Sequence, residues 1–479
     1  MTEANRPARP ASVGETRRPR QSPTELTLTF TDEASVRQQS RLLEEPEWLL
    51  DERLAALERF AELPIESNRL YTTYVDLRNA RLGDVRPSTE APTEVPMQAA
   101  GSDADVPEGS AGLIELDERG VTRLALEPAA RDAGVVLESL TAFRRRDPAG
   151  FRSAAGGDGM LPENDKLAHL TRALWSQGAH LRVPDGVRLE RPIVLRWALG
   201  RPGAALLSRT LIDLGDDAEA KVVEELAAVR PSIAGGVGDG GDDAPQAFFT
   251  GTSEVRVGAG SSLSFASLQD FSLDQIAFQH RVAELGRQSN LRWALAQLGG
   301  RLVRSRVDNR LVGDGASVEQ VEIVFAAGDQ LFDLTSYTKH LGRKTTGNLL
   351  SKGVLQDSAR SFMKGLITIE KNAVGTDSFL GEFGMNLSRQ ARAVAIPSLE
   401  IDQPDCRRAA HSSSVGPIDD SQLFYLESRG IPPEEARKFI VLGFLEPVVV
   451  RVPLQSAQDA LRELLEAKWD GSHAETAAA

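Results

Sequence analysis

The chain has 479 residues, enough to bury a large core, and its 41% hydrophobic and 26% charged residues are those of an ordinary globular protein. A net charge of −14 repels phosphate backbones and anionic bilayers, so neither nucleic acid nor membrane is an expected partner. One cysteine, Cys406, excludes an internal disulfide framework.

Residues 1–24 carry Arg6, Arg9, Arg17, Arg18 and Arg20 among Pro, Ala and Ser, without the apolar centre of a signal peptide. A disordered arm is expected there. No apolar run reaches the ~18 residues of a membrane helix, so the expected compartment is the cytoplasm. An N-terminal helical region follows over 25–82. Leu50, Leu54 and Leu57 share one helix face, Pro46 opens a helix and Pro64 ends it. The stretch 83–112, with Pro87, Pro92, Pro96 and Pro107, reads as a linker. Residues 113–178 read as a mixed α/β region ending in a helix over 164–177, where Leu167, Leu170 and Leu174 align and Gly178 stops it.

Strands are expected from 179 to 404, as short β-branched and apolar runs broken by glycine turns. The turns at Gly186, Gly215, Gly258, Gly286, Gly313, Gly342 and Gly375 are spaced by 29, 43, 28, 27, 29 and 33 residues. The one long interval contains a Gly- and Asp-rich stretch, 231–245, that reads as an exposed insertion. Removing it leaves a recurrence near 28, the mark of a solenoid of short parallel strands; a β-sandwich is the alternative. The final stretch, 405–479, reads as a helical domain. Asp419 and Asp420 cap a helix over 421–429, Gly430 stops it, and Pro432 and Pro433 open the next. Ala436, Phe439 and Ile440 are expected on its buried face, Leu461, Leu464, Leu465 and Lys468 carry helical spacing, and the end from Ala467 is expected to fray.

Enzyme signatures are missing: there is no Gly-x-Ser-x-Gly elbow, no phosphate-binding loop ending in Lys-Ser/Thr and no His-Glu-x-x-His helix. The segment that stands out joins Cys406, Arg407, Arg408 and His411 where strands give way to helices. Thiolate and imidazole are suitable iron ligands, and the two arginines favour a thiolate at Cys406. The bland alternative is a small buried thiol beside a surface histidine. One thiol cannot hold an iron–sulfur cluster alone, because clusters take about four protein ligands.

Longer runs carry a resemblance. They are Leu349-Leu350-Ser351-Lys352-Gly353, Ala359-Arg360-Ser361-Phe362-Met363-Lys364-Gly365, Ala395-Ile396-Pro397-Ser398-Leu399-Glu400-Ile401, His411-Ser412-Ser413-Ser414-Val415-Gly416 and Leu423-Phe424-Tyr425-Leu426-Glu427-Ser428-Arg429-Gly430. In order and spacing they resemble the SufB/SufD family of iron–sulfur cluster assembly scaffolds, most strongly over 334–450. The single cysteine favours the SufD-like branch. The resemblance implies a right-handed parallel β-helix with helical regions at both ends. It implies a non-enzymatic scaffold that pairs with a SufB-like sister, docks the SufC ABC-type ATPase and meets sulfur donor proteins indirectly.

A transient cluster would form where two β-helices meet. His411, placed before Val415-Gly416 as in the family, is the implied ligand, with Cys406 beside it. Ala409 stands where the family often has a cysteine. Phe439, Leu442 and Phe444 are the implied ATPase-facing residues, while Phe424, Tyr425 and Leu426 are expected to pack their helix against the end of the strands. ATP is expected on the partner and not on this chain, and the residues leave a flavin open. A solenoid enzyme acting on polysaccharides, or a purely structural binding module, are the competing readings. The first requires paired carboxyl groups on one face.

Overall fold

The computed structural model describes residues 24–99, 106–156, 160–228 and 245–478. Apart from Thr24 and Pro245, the expected arm over 1–24 and the insertion over 231–245 lie outside them. No helix among the described residues is long and apolar enough to cross a membrane.

The fold is a parallel β-solenoid, in which the chain passes alternately through two sheets. Sheet one stacks Gln177–Val183, Ala204–Leu214, Ala247–Val257, Gln275–Leu285, Leu302–Leu311, Leu331–His340, Arg360–Ile369 and Arg392–Ile401. Sheet two stacks Ile193–Leu199, Glu219–Ala228, Ser262–Asp270, Asn290–Gln297, Ser317–Ala326, Thr346–Leu355, Asp377–Asn386 and Arg408–Gly416. Neighbouring strands within each stack are parallel.

Alternation along each strand divides its side chains between lumen and exterior. In Ala247–Val257, Phe249 and Val255 enter the lumen beside Trp197 and Phe271. Phe248 points outward onto Phe278, under the helices. Both faces are buried, so the strands read as apolar runs without a clean period of two. Burying each such aromatic contributes about 1.5–3 kcal/mol.

The glycine column has a steric cause. Successive turns stack backbone on backbone: a Cβ at Gly258 would lie 2.5 Å from the carbonyl carbon of Gly215, and one at Gly313 would lie 2.1 Å from the Arg287 nitrogen. No other residue fits there. Gly186 and Gly375 do not belong to this column, contrary to expectation. They lie in a second one, with Asp217, Gly260, Gln288, Gly315 and Lys344, where φ is positive. Residues of the second column donate N–H to the next coil, as Asp217 does to Ala259 and Lys344 to Val374, both at 2.8 Å.

The helices are α1 (Glu33–Leu42), α2 (Glu47–Glu62), α3 (Pro128–Asp132), α4 (Leu140–Arg146), α5 (Pro148–Ala155), α6 (Lys166–Leu174), α7 (Asp420–Ser428), α8 (Pro433–Val449) and α9 (Gln455–Ala478). Val36, Ala56 and Phe60 of α1 and α2, with Leu170 and Leu174 of α6, cover the outside of sheet one. Arg53 of α2 fastens this layer. It is fully buried, holds Glu45 through two bonds of 2.6 and 2.7 Å, and donates to the Ala173 and Trp175 carbonyls. Val441, Leu445 and Val448 of α8 and Leu461, Leu465 and Trp469 of α9 cover sheet two. The helix α9 continues past Ala467, from which the end is expected to fray. Lys468 reaches the Leu298 carbonyl and Gln330, and withdrawal from water pushes its amine down to about 7.

Both boundaries of the solenoid move outward from those expected. In the stretch expected as a linker, 83–112, Arg86–Pro87 pairs with Ala204–Ala205 and Gln98–Ala99 with Ala125–Leu126. Gly112–Asp117 adds parallel to Ile193–Leu199. The first two of these pairings span two residues each and leave little side-chain pattern to read. The strand Arg408–Gly416 lies inside the stretch expected to be helical, 405–479, so the stack continues past 404.

Candidate functional site

The two ends of the stack are finished differently. At the N-terminal end strand direction reverses: Val136–Ser139 runs antiparallel to Gln177–Val183, and Gly120–Leu126 antiparallel to Gly112–Asp117. At the C-terminal end the last strand of each sheet has one ladder neighbour and one free edge. The edge of Arg392–Ile401 is blunted. Pro397 has no N–H to offer, the Ala393 N–H is taken by Asn386 Oδ1 at 3.1 Å, and the Ile396 N–H by Glu382 Oε2 at 2.8 Å.

Arg408–Gly416 is not blunted. Residues His411 to Val415 are all exposed, so both faces of the strand and one edge meet solvent. Its side chains from Ala409 to Ser414 are two alanines, a histidine and three serines, too small and polar to bury apolar area. Such a strand is a template for an incoming chain.

His411 sits on this strand in register with Leu380. Of the histidines whose side chains are described, it alone is exposed and without a hydrogen bond or ion pair. His169 meets the Glu163 carbonyl at 2.8 Å, and His180 stacks on Phe143 at 3.7 Å and holds Glu138 at 3.0 Å. His280 is bonded to Asp308, and His340 lies between Thr345 and Ser378, where burial pushes its imidazole down to about 4. A free imidazole on an open strand is the group in this set able to take a ligand from outside.

Cys406 is half-buried in the turn before that strand. It packs against the apolar cluster of Leu349, Ile367, Ile369, Ala373 and Leu380 near the end of the stack. Among the described residues no three His, Cys, Asp or Glu side chains converge as a metal cage.

A second surface lies on the C-terminal helices. Phe424 and Tyr425 of α7 are 72% and 56% exposed, and no residue of that helix is buried. This overturns the expectation that they pack against the strands: α7 leans on α8, not on the solenoid. Phe439, expected on the buried face of α8, is 63% exposed, because that face is formed by Ala436, Val441, Leu445 and Val448. Leu442 and Phe444 are half-buried against sheet two, where Lys352 donates to the Phe444 carbonyl.

Carboxyl groups do gather outside sheet one, but all are engaged. Lys364 holds Asp333 at 2.6 Å, and Arg306 holds Asp165 and Asp308, each at 2.7 Å, beneath α6. Burial raises the Asp165 carboxyl, yet Arg306 and His280 overcome it and hold it at about 2. Carboxyls locked in this way are not the open pair that glycoside cleavage needs.

A family model described as "SUF system FeS cluster assembly, SufBD core domain" matches residues 198–444. The chain is 29% identical over 445 residues to the iron-sulfur cluster assembly protein SufD of Bacillus subtilis, covering 92% of this chain and 99% of that one. It is 25% identical over 453 residues to an iron-sulfur cluster assembly SufBD family protein of Staphylococcus haemolyticus, covering 91% and 92% of the two chains. A SufBD family protein of Staphylococcus epidermidis is likewise 25% identical, over 445 residues and 90% of this chain.

Proposed function

The chain belongs to the SufBD family of the SUF system for iron–sulfur cluster assembly, and from that premise we propose that it is a cytoplasmic scaffold that completes its working site only against a sister chain. The observation that carries this reading is the strand Arg408–Gly416, bare on both faces and along one edge, with the unbonded His411 on it. A SufB-like sister adds its own strand to that edge, and backbone hydrogen bonds give the pairing its register. The nascent cluster is cargo held at the seam. His411 supplies one imidazole ligand and the sister supplies the thiolates. Cys406 ranks below His411, since it is half-buried against an apolar cluster while His411 is exposed.

The SufC ATPase docks on the C-terminal helices, with Phe424, Tyr425 and Phe439 as apolar anchors and Leu442 and Phe444 at their margin. Exposed aromatics of this kind are the usual centres of binding energy. ATP binds to that partner, sulfur donors act through the sister, and this chain performs no chemistry of its own. The test is co-expression with a SufB-like sister and SufC, followed by iron and sulfide analysis of the purified complex. His411→Ala is expected to leave the three chains together and remove the cluster. A complex that assembles and keeps its full iron and sulfide without His411 would refute the ligand assignment.

A further inference from the structure

We infer that Glu382 is the positioning residue for His411: one side chain that crosses the last coil and ties Asp377–Asn386, the ladder neighbour of the His411 strand, to the terminal strand of the other sheet. Glu382 lies on Asp377–Asn386, in register with Ser413 and two residues beyond Leu380, the register partner of His411. Residues two apart on a strand share a face, so Glu382 and His411 are diagonal neighbours on the lumen side.

The carboxyl is 1% exposed. Its Oε2 accepts the N–H of Ile396 at 2.8 Å, and Ile396 belongs to the terminal strand of the other sheet. Room for the crossing comes from Gly365, where a Cβ would lie 2.8 Å from Glu382 Oε1. Outside the sheet, Tyr71 closes the same spot by donating to the Gly365 carbonyl at 2.9 Å.

In the inner coils a strand is held by ladder bonds on both edges. The terminal strand Arg392–Ile401 lacks that second ladder, and Glu382 ties it instead to Asp377–Asn386, on which the His411 strand is laid. Burial pushes its carboxyl up to about 8, with the Ile396 N–H pulling the other way. A neutral acid of this kind is matched in shape and acceptor by glutamine.

The functional consequence rests on the assignment of His411 as a ligand, but the positioning can be read without it. The full chain is labelled on its histidine rings, and the His411 resonance is identified by its loss in His411→Ala. Glu382→Ala is expected to displace the His411 resonance while His169, His180 and His280 keep theirs, which certifies the fold. In the assembled complex it is expected to lower iron retention by about tenfold, the usual penalty for losing an outer support. Glu382→Gln is expected to restore both. The inference is overturned if Glu382→Ala leaves the His411 resonance in place, or if Glu382→Gln shifts it as far. Should the alanine variant not fold, Glu382→Asp, which shortens the reach, gives the same two outcomes. Loss of the ligand reading would appear separately, as full iron in the His411→Ala complex.

Discussion

The first and last coils of the solenoid obey the same packing rules and end in opposite ways. At the N-terminal end strand direction reverses, and a helical layer fastened by Arg53 covers sheet one. At the C-terminal end the chain stops coiling with a row of serines facing water and turns away into helices whose aromatics are exposed. The contrast teaches that stability and function are separated along the axis. Substitutions near the closed end and in the inner coils should act on folding, and those at the open end on association and cargo.

The comparison is easiest to break with the largest effects on stability. Arg53→Ala strands Glu45 in a dry interior and is expected to cost about 3–5 kcal/mol, read as a fall in the urea midpoint. Gly313→Val drives a side chain into the backbone of the preceding turn and is expected to cost about 1–3 kcal/mol by the same measurement. Lys468 adds a pH dependence. Its value of about 7 in the folded chain lies below the ordinary 10.5, so the unfolded chain binds the extra proton between the two. Its contribution is present above 10.5 and is lost as pH falls through 7, so stability gains from it as pH rises between those values. Lys468→Met should flatten that slope, which midpoints at several pH values between these limits would measure.

At the open end the order of effects inverts. Phe424→Ser with Phe439→Ser should move stability by no more than about 0.5 kcal/mol. The same pair should weaken ATPase binding by at least about 2 kcal/mol, some thirtyfold in a titration. His411→Ala should leave the midpoint nearest to unchanged. A large stability loss from either would mean that these groups serve the fold and that the two ends are not divided as described.

Much of the solenoid was legible because stacked turns demand glycine at fixed intervals, and Gly215, Gly258, Gly286, Gly313 and Gly342 record that demand. Its limits were not. Arg86–Pro87 and Gln98–Ala99 are two residues each, and Arg408–Gly416 has no fully buried side chain, so none of them leaves a hydrophobic period. Apolar side chains usually lie inside, which is how the aromatics of α7 read in the sequence, but no residue of α7 is buried. His411 could be picked out by its setting in the sequence. Glu382 could not: a lone acid among glycines reads as solvated, and only the pairing register turns it inward.

The reversal of direction at the first coil has a consequence for stoichiometry. A molecule with matching templates at head and tail would polymerise, each copy offering the next a fresh surface. Here the first coil reverses strand direction and the last does not, so the two tips are unlike templates, and on the pairing proposed above two such chains would meet by their C-terminal tips. On that pairing a finite count of subunits would follow from the reversal within residues 112–183, at the far pole from the place of contact.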